Sequence, residues 1–181
     1  MRAHLTVLSV AVVLAMTAGA EARAATDPHL RPADAADSAL VADAVARSST
    51  VRALADRLKE TDLVAYVRVS PSRRGAGDSS ISFLGRSRVQ RFMVITINRD
   101  LALDRQVALI GHELQHAVDM SRVSWVSSPA HLHAYLATTG WKSAYPERVF
   151  ETYSALRTER QVSRELAAAE RGAGTPRPLP R

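Results

Sequence analysis

The motif His112-Glu113-Leu114-Gln115-His116 contains the residues whose types and spacing are best suited to chemistry. Two histidines four positions apart in a helix project about 40° apart, so both imidazoles lie on one face. This spacing suits two ligands of a tetrahedral zinc ion. Glu113 is rotated by about 100° from His112, so it would flank the metal instead of binding it. From there its carboxylate could take a proton from a zinc-bound water.

The apolar residues around the motif predict a helix with two distinct faces. Between Asp104 and Met120, five apolar side chains fall roughly 140–240° from His112, and the polar trio lies outside that stripe. These five are Val107, Ile110, Leu114, Ala117 and Val118. Gly111 lowers the stability of a helix by about 1 kcal/mol relative to Ala. Its lack of a side chain could allow another backbone to approach closely. The alternatives are a solvated helix surface and a purely structural metal site.

A third metal ligand has to come from elsewhere in the chain, and Glu151 is the preferred candidate. It follows His116 by 35 positions and would lie in the second turn of a C-terminal helix. Further residues extend along the same predicted helical face, namely Ala155, Thr158, Val162 and Leu166. A carboxylate on an inward stripe needs a counter-charge, which zinc would supply. Glu147 is the rival, although its first-turn position suits a helix dipole. Glu159 is expected to be solvated.

Three other polar residues, two histidines and an aspartate, are candidates for the same site. His131 and His133 would point about 200° apart in a helix and could not share a metal, so surface histidines are the preferred interpretation. In a strand they would share a face. Asp119 lies on the face of the two motif histidines and could accept a hydrogen bond from one of them, or it could be solvated.

The N-terminus has the pattern of a secretory signal peptide. A start containing Arg2 is followed by the apolar run 5–18 and then by Ala22-Arg23-Ala24, so cleavage is expected after residue 24. A membrane anchor is the alternative, but the run is too short to span a bilayer comfortably. The prediction is therefore a secreted or periplasmic protein that has no membrane association after residues 1–24 are removed.

Composition excludes several classes of site. The chain has 181 residues and no cysteine, so zinc sites with thiolate ligands and thiol nucleophiles are excluded. The net charge of +6 comes mainly from scattered arginines, with few aromatic residues and no nucleic-acid-binding motif. We therefore expect a solvated basic surface and no nucleic-acid partner; anionic cell-surface polymers are the alternative neighbours.

The pattern of elements predicts an α+β domain over residues 37–171. Residues 25–36 contain two prolines and are expected to be a flexible linker, with Asp37 as the first helix cap and Ser49 as the second. Alternation and β-prone residues then predict strands at Leu63–Ser70, at 81–84 and at 88–98.

The second half of the domain is predicted to be helical. Asp104 or Asp100 would cap the metal-binding helix, and Ser128-Pro129 would open a short helix that Gly140 closes. Tyr145-Pro146 would start a long helix that runs to about residue 170. The glycines and prolines of residues 172–181 indicate a disordered tail.

The HELQH motif in a helix, with Glu151 on a later helix, resembles the zincin metallopeptidases of the gluzincin branch. The metzincin branch is excluded because Asp119 and Arg122 stand where its Gly and third His would be. Gly111-HELQHAVD together with Phe150-Glu151-Thr152-x-x-Ala155 is similar to small exported bacterial zincin-like proteins. Ala155 stands where many gluzincins have an Asp that supports a ligand histidine.

The resemblance implies a fold and a chemistry. The fold would be zincin-like, with a small mixed or antiparallel sheet packed on the motif helix and a C-terminal helix carrying Glu151. Residues Arg91–Asn98 would form the edge strand that binds an extended peptide substrate. Tyr145, preferred over Tyr153, would stabilise the oxyanion.

Three functions are compatible with these residues. The first is an exported zinc metallopeptidase in which His112, His116 and Glu151 bind Zn²⁺ and Glu113 is the general base. The second is a non-catalytic zincin-fold protein that binds metal or a partner. The third is metal-assisted hydrolysis of another substrate, such as a cell-wall peptide cross-link.

Overall fold

The computed structural model describes residues 27–71, 77–141 and 150–173, and these form an α+β fold. Within this part of the chain, four strands and five helices follow one another. In order they are β1 (Leu30–Pro32), α1 (Ser38–Arg47), α2 (Ser49–Lys59), β2 (Leu63–Ser70), β3 (Ser79–Arg86), β4 (Arg91–Asn98), α3 (Leu103–Ser121), α4 (Pro129–Thr139) and α5 (Tyr153–Ala173). No helix among these residues is both long and apolar enough to cross a membrane.

The four strands form one mixed sheet in the order β1-β2-β4-β3. Strands β1, β2 and β4 run parallel, and β3 pairs antiparallel with β4. The predicted bounds of β2 are confirmed. Strand β4 begins three residues later than predicted, because the Ser87 hydroxyl and backbone hold residues 87–90 in a turn.

Strand β4 is an interior strand, so the expectation that Arg91–Asn98 forms the substrate-binding edge is wrong. Its backbone groups pair with β2 on one side and with β3 on the other. Strand β3 is instead the outermost strand of the described sheet on that side. The order of strands is a tertiary property that alternation along one segment does not reveal.

The expectation of a flexible linker over residues 25–36 is also wrong for the part that the structure describes. Leu30 is 1% exposed, and β1 pairs with β2 from Leu30 to Pro32. Ala33 N donates to Val67 O at 2.7 Å directly after the strand. A proline is tolerated here because β1 is an edge strand with no partner required on its outer side.

The helices gather around the core-facing side of the sheet, with α3 in the middle. Buried side chains of β2 and β4, such as Val67, Met93, Ile95 and Ile97, meet those of α2, α3 and α5. Burying one such side chain contributes about 1.5–3 kcal/mol. The motif helix is therefore held by a core on most of its surface, which fixes the direction of its polar residues.

Glu165 joins helix α5 to the N-terminus of α2. Ser48 is the cap of α2, one residue earlier than predicted, because its hydroxyl accepts from Val51 N. Glu165 in turn accepts from the Ser48, Ser49 and Thr50 hydroxyls and from Thr50 N. Burial raises the pKa of Glu165, but these hydrogen bonds outweigh it and bring the pKa to about 2.

Arg91 fixes the C-terminal end of α3 to the sheet. It is buried, and its guanidinium donates to both carboxylate oxygens of Asp62 at 2.7 Å. It also donates to four backbone carbonyls at and beyond the end of α3, those of Met120, Ser121, Val123 and Val126. Carbonyls that a helix end would leave without partners are thereby satisfied.

Candidate metal centre

Helix α3 presents His112, Glu113 and His116 from a buried position. Each of the three is no more than 4% exposed. The five residues of the predicted apolar stripe are at most 2% exposed, so the predicted helix and its core face are confirmed. The predicted caps are wrong: the helix begins after Ala102, and Asp104 pairs with Arg47 at 2.7 Å.

Three atoms that could bind a metal lie close to one another at this face of α3. Nε2 of His112 lies 3.2 Å from Nε2 of His116 and 3.3 Å from Oε2 of Glu151. A tetrahedral zinc site with bonds of about 2.0–2.1 Å places neighbouring ligand atoms about 3.3 Å apart. The two measured separations therefore fit two edges of a zinc tetrahedron, both of which meet at His112. Glu151 contacts His112, whereas the group of possible ligands whose atoms all lie within 4.8 Å of one another consists of His112, Glu113 and His116.

Glu151 reaches this position from an extended segment and not from a helix, so its predicted secondary structure is wrong. Helix α5 begins at Tyr153, because the Thr152 hydroxyl accepts from Ala155 N and caps the helix. The predicted start at Tyr145-Pro146 and the rival ligand Glu147 fall in 142–149, which lies outside the described residues. A threonine at the helix cap was the signal that could have placed the start correctly.

An antiparallel bridge holds the backbone of Glu151. Trp141 N donates to Glu151 O at 3.0 Å, and Glu151 N donates to Trp141 O at 3.0 Å. Gly140 precedes the bridge and ends α4, as predicted. A Cβ atom at position 140 would overlap the carbonyl oxygen of Glu151, so only glycine allows this close approach. The position of the Glu151 carboxylate is thus fixed through the end of α4.

Glu113 borders the same space as the ligand atoms. It offers a carboxylate oxygen that lies, with one nitrogen from each histidine, in a group whose members are all within 4.8 Å of one another. Ser79 Oγ, at the start of β3, donates to Glu113 Oε1 at 2.6 Å. Ser79 was not identified from the sequence, because only the packing of β3 beside α3 brings it to the motif. A positioned carboxylate beside a metal site can accept and return a proton.

Glu159 is a hydrogen-bond partner of His112, so the expectation that it is solvated is wrong. Its side chain is 14% exposed, and its Oε2 accepts from His112 Nδ1 at 2.9 Å. Its other oxygen accepts from Arg105, which also contacts Asp78 at 3.2 Å. The spacing of Glu159 four residues after buried Ala155 was a usable signal, since i and i+4 share a helix face.

Asp119 does not contact either histidine, so the hypothesis that it supports one is wrong. Its two oxygens accept from Gln115 Nε2 at 2.8 Å and from Ser154 Oγ at 2.6 Å. Nδ1 of His116 is buried and has no hydrogen-bond partner within the described part of the chain. Of the two imidazoles, only that of His112 is oriented through its second nitrogen.

The two histidines have opposite pKa shifts. Burial lowers the pKa of His112, but hydrogen bonds to Glu151 and Glu159 and the charge of Glu113 raise it to about 9. Burial lowers the pKa of His116, and the nearby charge of His112 lowers it further, to about 4. Burial raises the pKa of Glu159, but His112 and Arg105 hold it at about 2. The side chains therefore concentrate carboxylates around one imidazolium, an environment that also suits a divalent cation.

A cleft of about 270 Å³ opens onto these groups. Its walls come from β3, α3, α4 and the Glu151 segment, with Ser79, Ile81, Leu136 and Phe150 among them. The charged side chains that line it are Glu113 and Glu151, together with the two histidines. A ligand entering it would therefore meet acidic groups, imidazoles, hydroxyls and apolar side chains.

None of the remaining sequence candidates that the structure describes belongs to the group of possible metal ligands. Tyr145 falls outside the described residues. Tyr153 is 78% exposed and packs on Trp141, with ring centroids 4.4 Å apart. His131 and His133 lie on α4, where His131 contacts Ser127 and His133 packs on Phe150. These histidines do not join the metal-site group.

Comparisons with known proteins found no matching family model, no matching curated protein and no matching solved structure.

Proposed function

We propose that the protein is a zinc metallopeptidase of the gluzincin type, in which His112, His116 and Glu151 bind Zn²⁺ and Glu113 is the general base. The observation that carries this proposal is the spacing of the ligand atoms, 3.2 Å between the imidazoles and 3.3 Å to the carboxylate. These separations match two edges of a tetrahedral site, and the second of them joins residues that are 39 positions apart in sequence. The carboxylates of Glu113, Glu151 and Glu159 around His112 agree with a site that gains from a cation.

The chain's own residues would divide the reaction between them. Zinc bound here would supply Lewis acidity to a water molecule and to the substrate carbonyl. Glu113, held by Ser79, would accept the proton from that water and return it to the leaving amine. Glu159 would orient His112 through Nδ1. The low exposure of Glu113 and Glu151 would keep bulk water from competing for the substrate.

A peptide substrate would extend along β3 and not along β4. Strand β3 is outermost in the described sheet on that side, and residues Ser79–Ser82 line the cleft. Added as a further strand, the substrate backbone would gain main-chain hydrogen bonds while the cleft takes its reacting bond. The mixed sheet, the motif helix and this edge strand support a zincin-like fold, and the N-terminal pattern supports an exported protein that acts outside the cytoplasm.

The proposal is tested by measuring bound metal and turnover in the same preparations. Purified protein should contain about one zinc per chain and cleave at least one member of a broad peptide library. Glu113→Gln should keep the zinc and lose turnover by about 100-fold or more, because it removes the base and not a ligand. Glu60→Gln, at an exposed site at the end of α2, is the matched control and should leave both unchanged. Full turnover in Glu113→Gln would refute the assigned base.

A non-catalytic zincin-like protein that binds metal or a partner is the second candidate. The observation that favours it is the size of the cleft, about 270 Å³, which is below the roughly 300–1,000 Å³ of most ligand pockets. Stoichiometric zinc with no cleavage of any library peptide would support this function over hydrolysis.

A further inference from the structure

Two large aromatic side chains lie exposed beside the candidate metal centre. Trp141 is 37% exposed and Tyr153 is 78% exposed. Their ring centroids are 4.4 Å apart with the planes inclined by 40°, so the two rings pack against each other. Aromatic side chains that are not buried in a core and form a contiguous exposed patch often mark a binding surface.

The antiparallel bridge between Trp141 and Glu151 sets the position of this aromatic pair relative to the candidate metal centre. Trp141 and Glu151 are directly opposite each other in an antiparallel pair, so their side chains lie on the same side of it. Tyr153 follows Glu151 by two positions, and its ring contacts Trp141. Gly140 allows the two backbones to approach closely, so the pair is held at a fixed place relative to the carboxylate.

A peptide substrate would extend beyond a cleft of this size. About 270 Å³ accommodates the reacting part of a peptide and little more. Neither Trp141 nor Tyr153 is among the cleft residues, so the pair lies outside the cleft, next to the Glu151 segment that forms one of its walls. A side chain of a bound peptide that leaves the cleft on this side would meet the two rings.

We propose that Trp141 and Tyr153 form a substrate subsite that binds an aromatic side chain of a peptide. This rests on the proposed function, since the peptide is the one whose backbone enters the cleft. A third ring can pack on the exposed pair in a tilted or offset arrangement, which adds to the gain from burying apolar area. A cation could also lie over the tryptophan ring, so a lysine side chain is the alternative occupant that the test has to compare.

The subsite is tested by binding to the zinc-loaded Glu113→Gln protein, in which a peptide is held without being cleaved. Fluorescein-labelled peptides of one length, with Phe, Ala or Lys placed at successive positions, are compared by anisotropy. At one position Phe should bind about 3- to 10-fold more tightly than Ala, the range expected for an aromatic pair. Trp141→Ala and Tyr153→Ala should each remove that preference, and Trp141→Phe should restore most of it.

Trp125 supplies the matched control. It is 48% exposed and packs on His131 and Tyr135 of α4, so Trp125→Ala should leave the preference for Phe unchanged. The chain has two tryptophans, so in Trp125→Phe the emission reports Trp141 alone and should shift when the Phe peptide binds. Equal binding of the Phe and Ala peptides, a preference for Lys, or a Phe preference that survives both alanine variants would overturn the subsite.

Zinc content separates this proposal from the proposed function. A Phe preference that depends on Trp141 and Tyr153, in protein that binds no zinc when zinc is supplied, would support the subsite and contradict the metallopeptidase. Zinc-dependent cleavage with no dependence on either ring would support the metallopeptidase and contradict the subsite.

Discussion

Both imidazole nitrogens of His112 have polar neighbours, whereas Nδ1 of His116 has no hydrogen-bond partner in the described part of the chain. Nε2 of His112 faces His116 and Glu151, and its Nδ1 donates to Glu159. A carboxylate behind a ligand histidine fixes the ring and raises its basicity toward a metal. Arg105 holds Glu159 in place from the first turns of α3, so the same helix that carries the histidine also positions the histidine's partner.

Glu159→Gln should weaken zinc binding without unfolding the chain. The amide keeps the shape of the side chain but loses the carboxylate that orients the His112 ring and raises its basicity toward a metal, so the affinity should fall about 10- to 100-fold. The measurement is competition with a zinc chelator of known affinity. Glu170→Gln on the same helix is the control, because that side chain is exposed. Equal affinities in the two variants would show that Glu159 does not support His112.

At the level of elements, α3 and α5 approach each other where Gly111 precedes the first motif histidine. A Cβ atom at position 111 would lie 2.7 Å from Cγ2 of Val162, which is completely buried on α5. The predicted close approach therefore exists, but a side chain of α5 fills the space and not a backbone. The glycine sets how near α5 lies to the motif helix, and α5 carries Glu159.

Gly111→Ala should destabilise the protein, although alanine favours a helix by about 1 kcal/mol over glycine. Val162 is β-branched and buried, so the clash cannot be relieved by a change of rotamer, and overpacking of this kind costs about 1–3 kcal/mol. In a Val162→Ala background the same substitution should become neutral or stabilising. Urea unfolding of the four proteins measures this coupling. If Gly111→Ala has the same effect in both backgrounds, Val162 is not the obstacle.

The elements also show which features a sequence can predict. The sequence predicts strand β2 and the core face of helix α3 correctly, because each has a strong apolar period and a buried face. The start of α5 was misplaced because Pro146 is a familiar first-turn residue, whereas the cap that operates is Thr152. Glu151 nevertheless lies 3.3 Å from His112, although it reaches that place from an extended segment and not from the predicted helix. Strand order and the contact of Ser79 with Glu113 depend on tertiary packing, so no local pattern contains them.

At the level of the whole molecule, the site joins parts of the chain that are far apart in sequence. The histidines come from α3, Glu151 from the segment bridged to Trp141, Glu159 from α5 and Ser79 from β3. The chain has no cysteine, so no disulfide can fix these parts to one another. An ion bound by α3 and by the Glu151 segment would cross-link two elements that otherwise meet only through non-covalent contacts.

Removal of metal should therefore lower the thermal stability of the whole domain. Free zinc at 100 times its dissociation constant adds about 2.7 kcal/mol to the free energy of unfolding, because it binds the folded chain. For a chain of this size that corresponds to a rise in Tm of roughly 5–10 °C over the chelator-treated protein. Differential scanning calorimetry across a zinc titration measures the shift. The His112→Ala/His116→Ala double variant should show no such response, since it lacks two of the three ligands. A Tm that is the same with zinc and with chelator in the unsubstituted protein would contradict a metal shared by these elements.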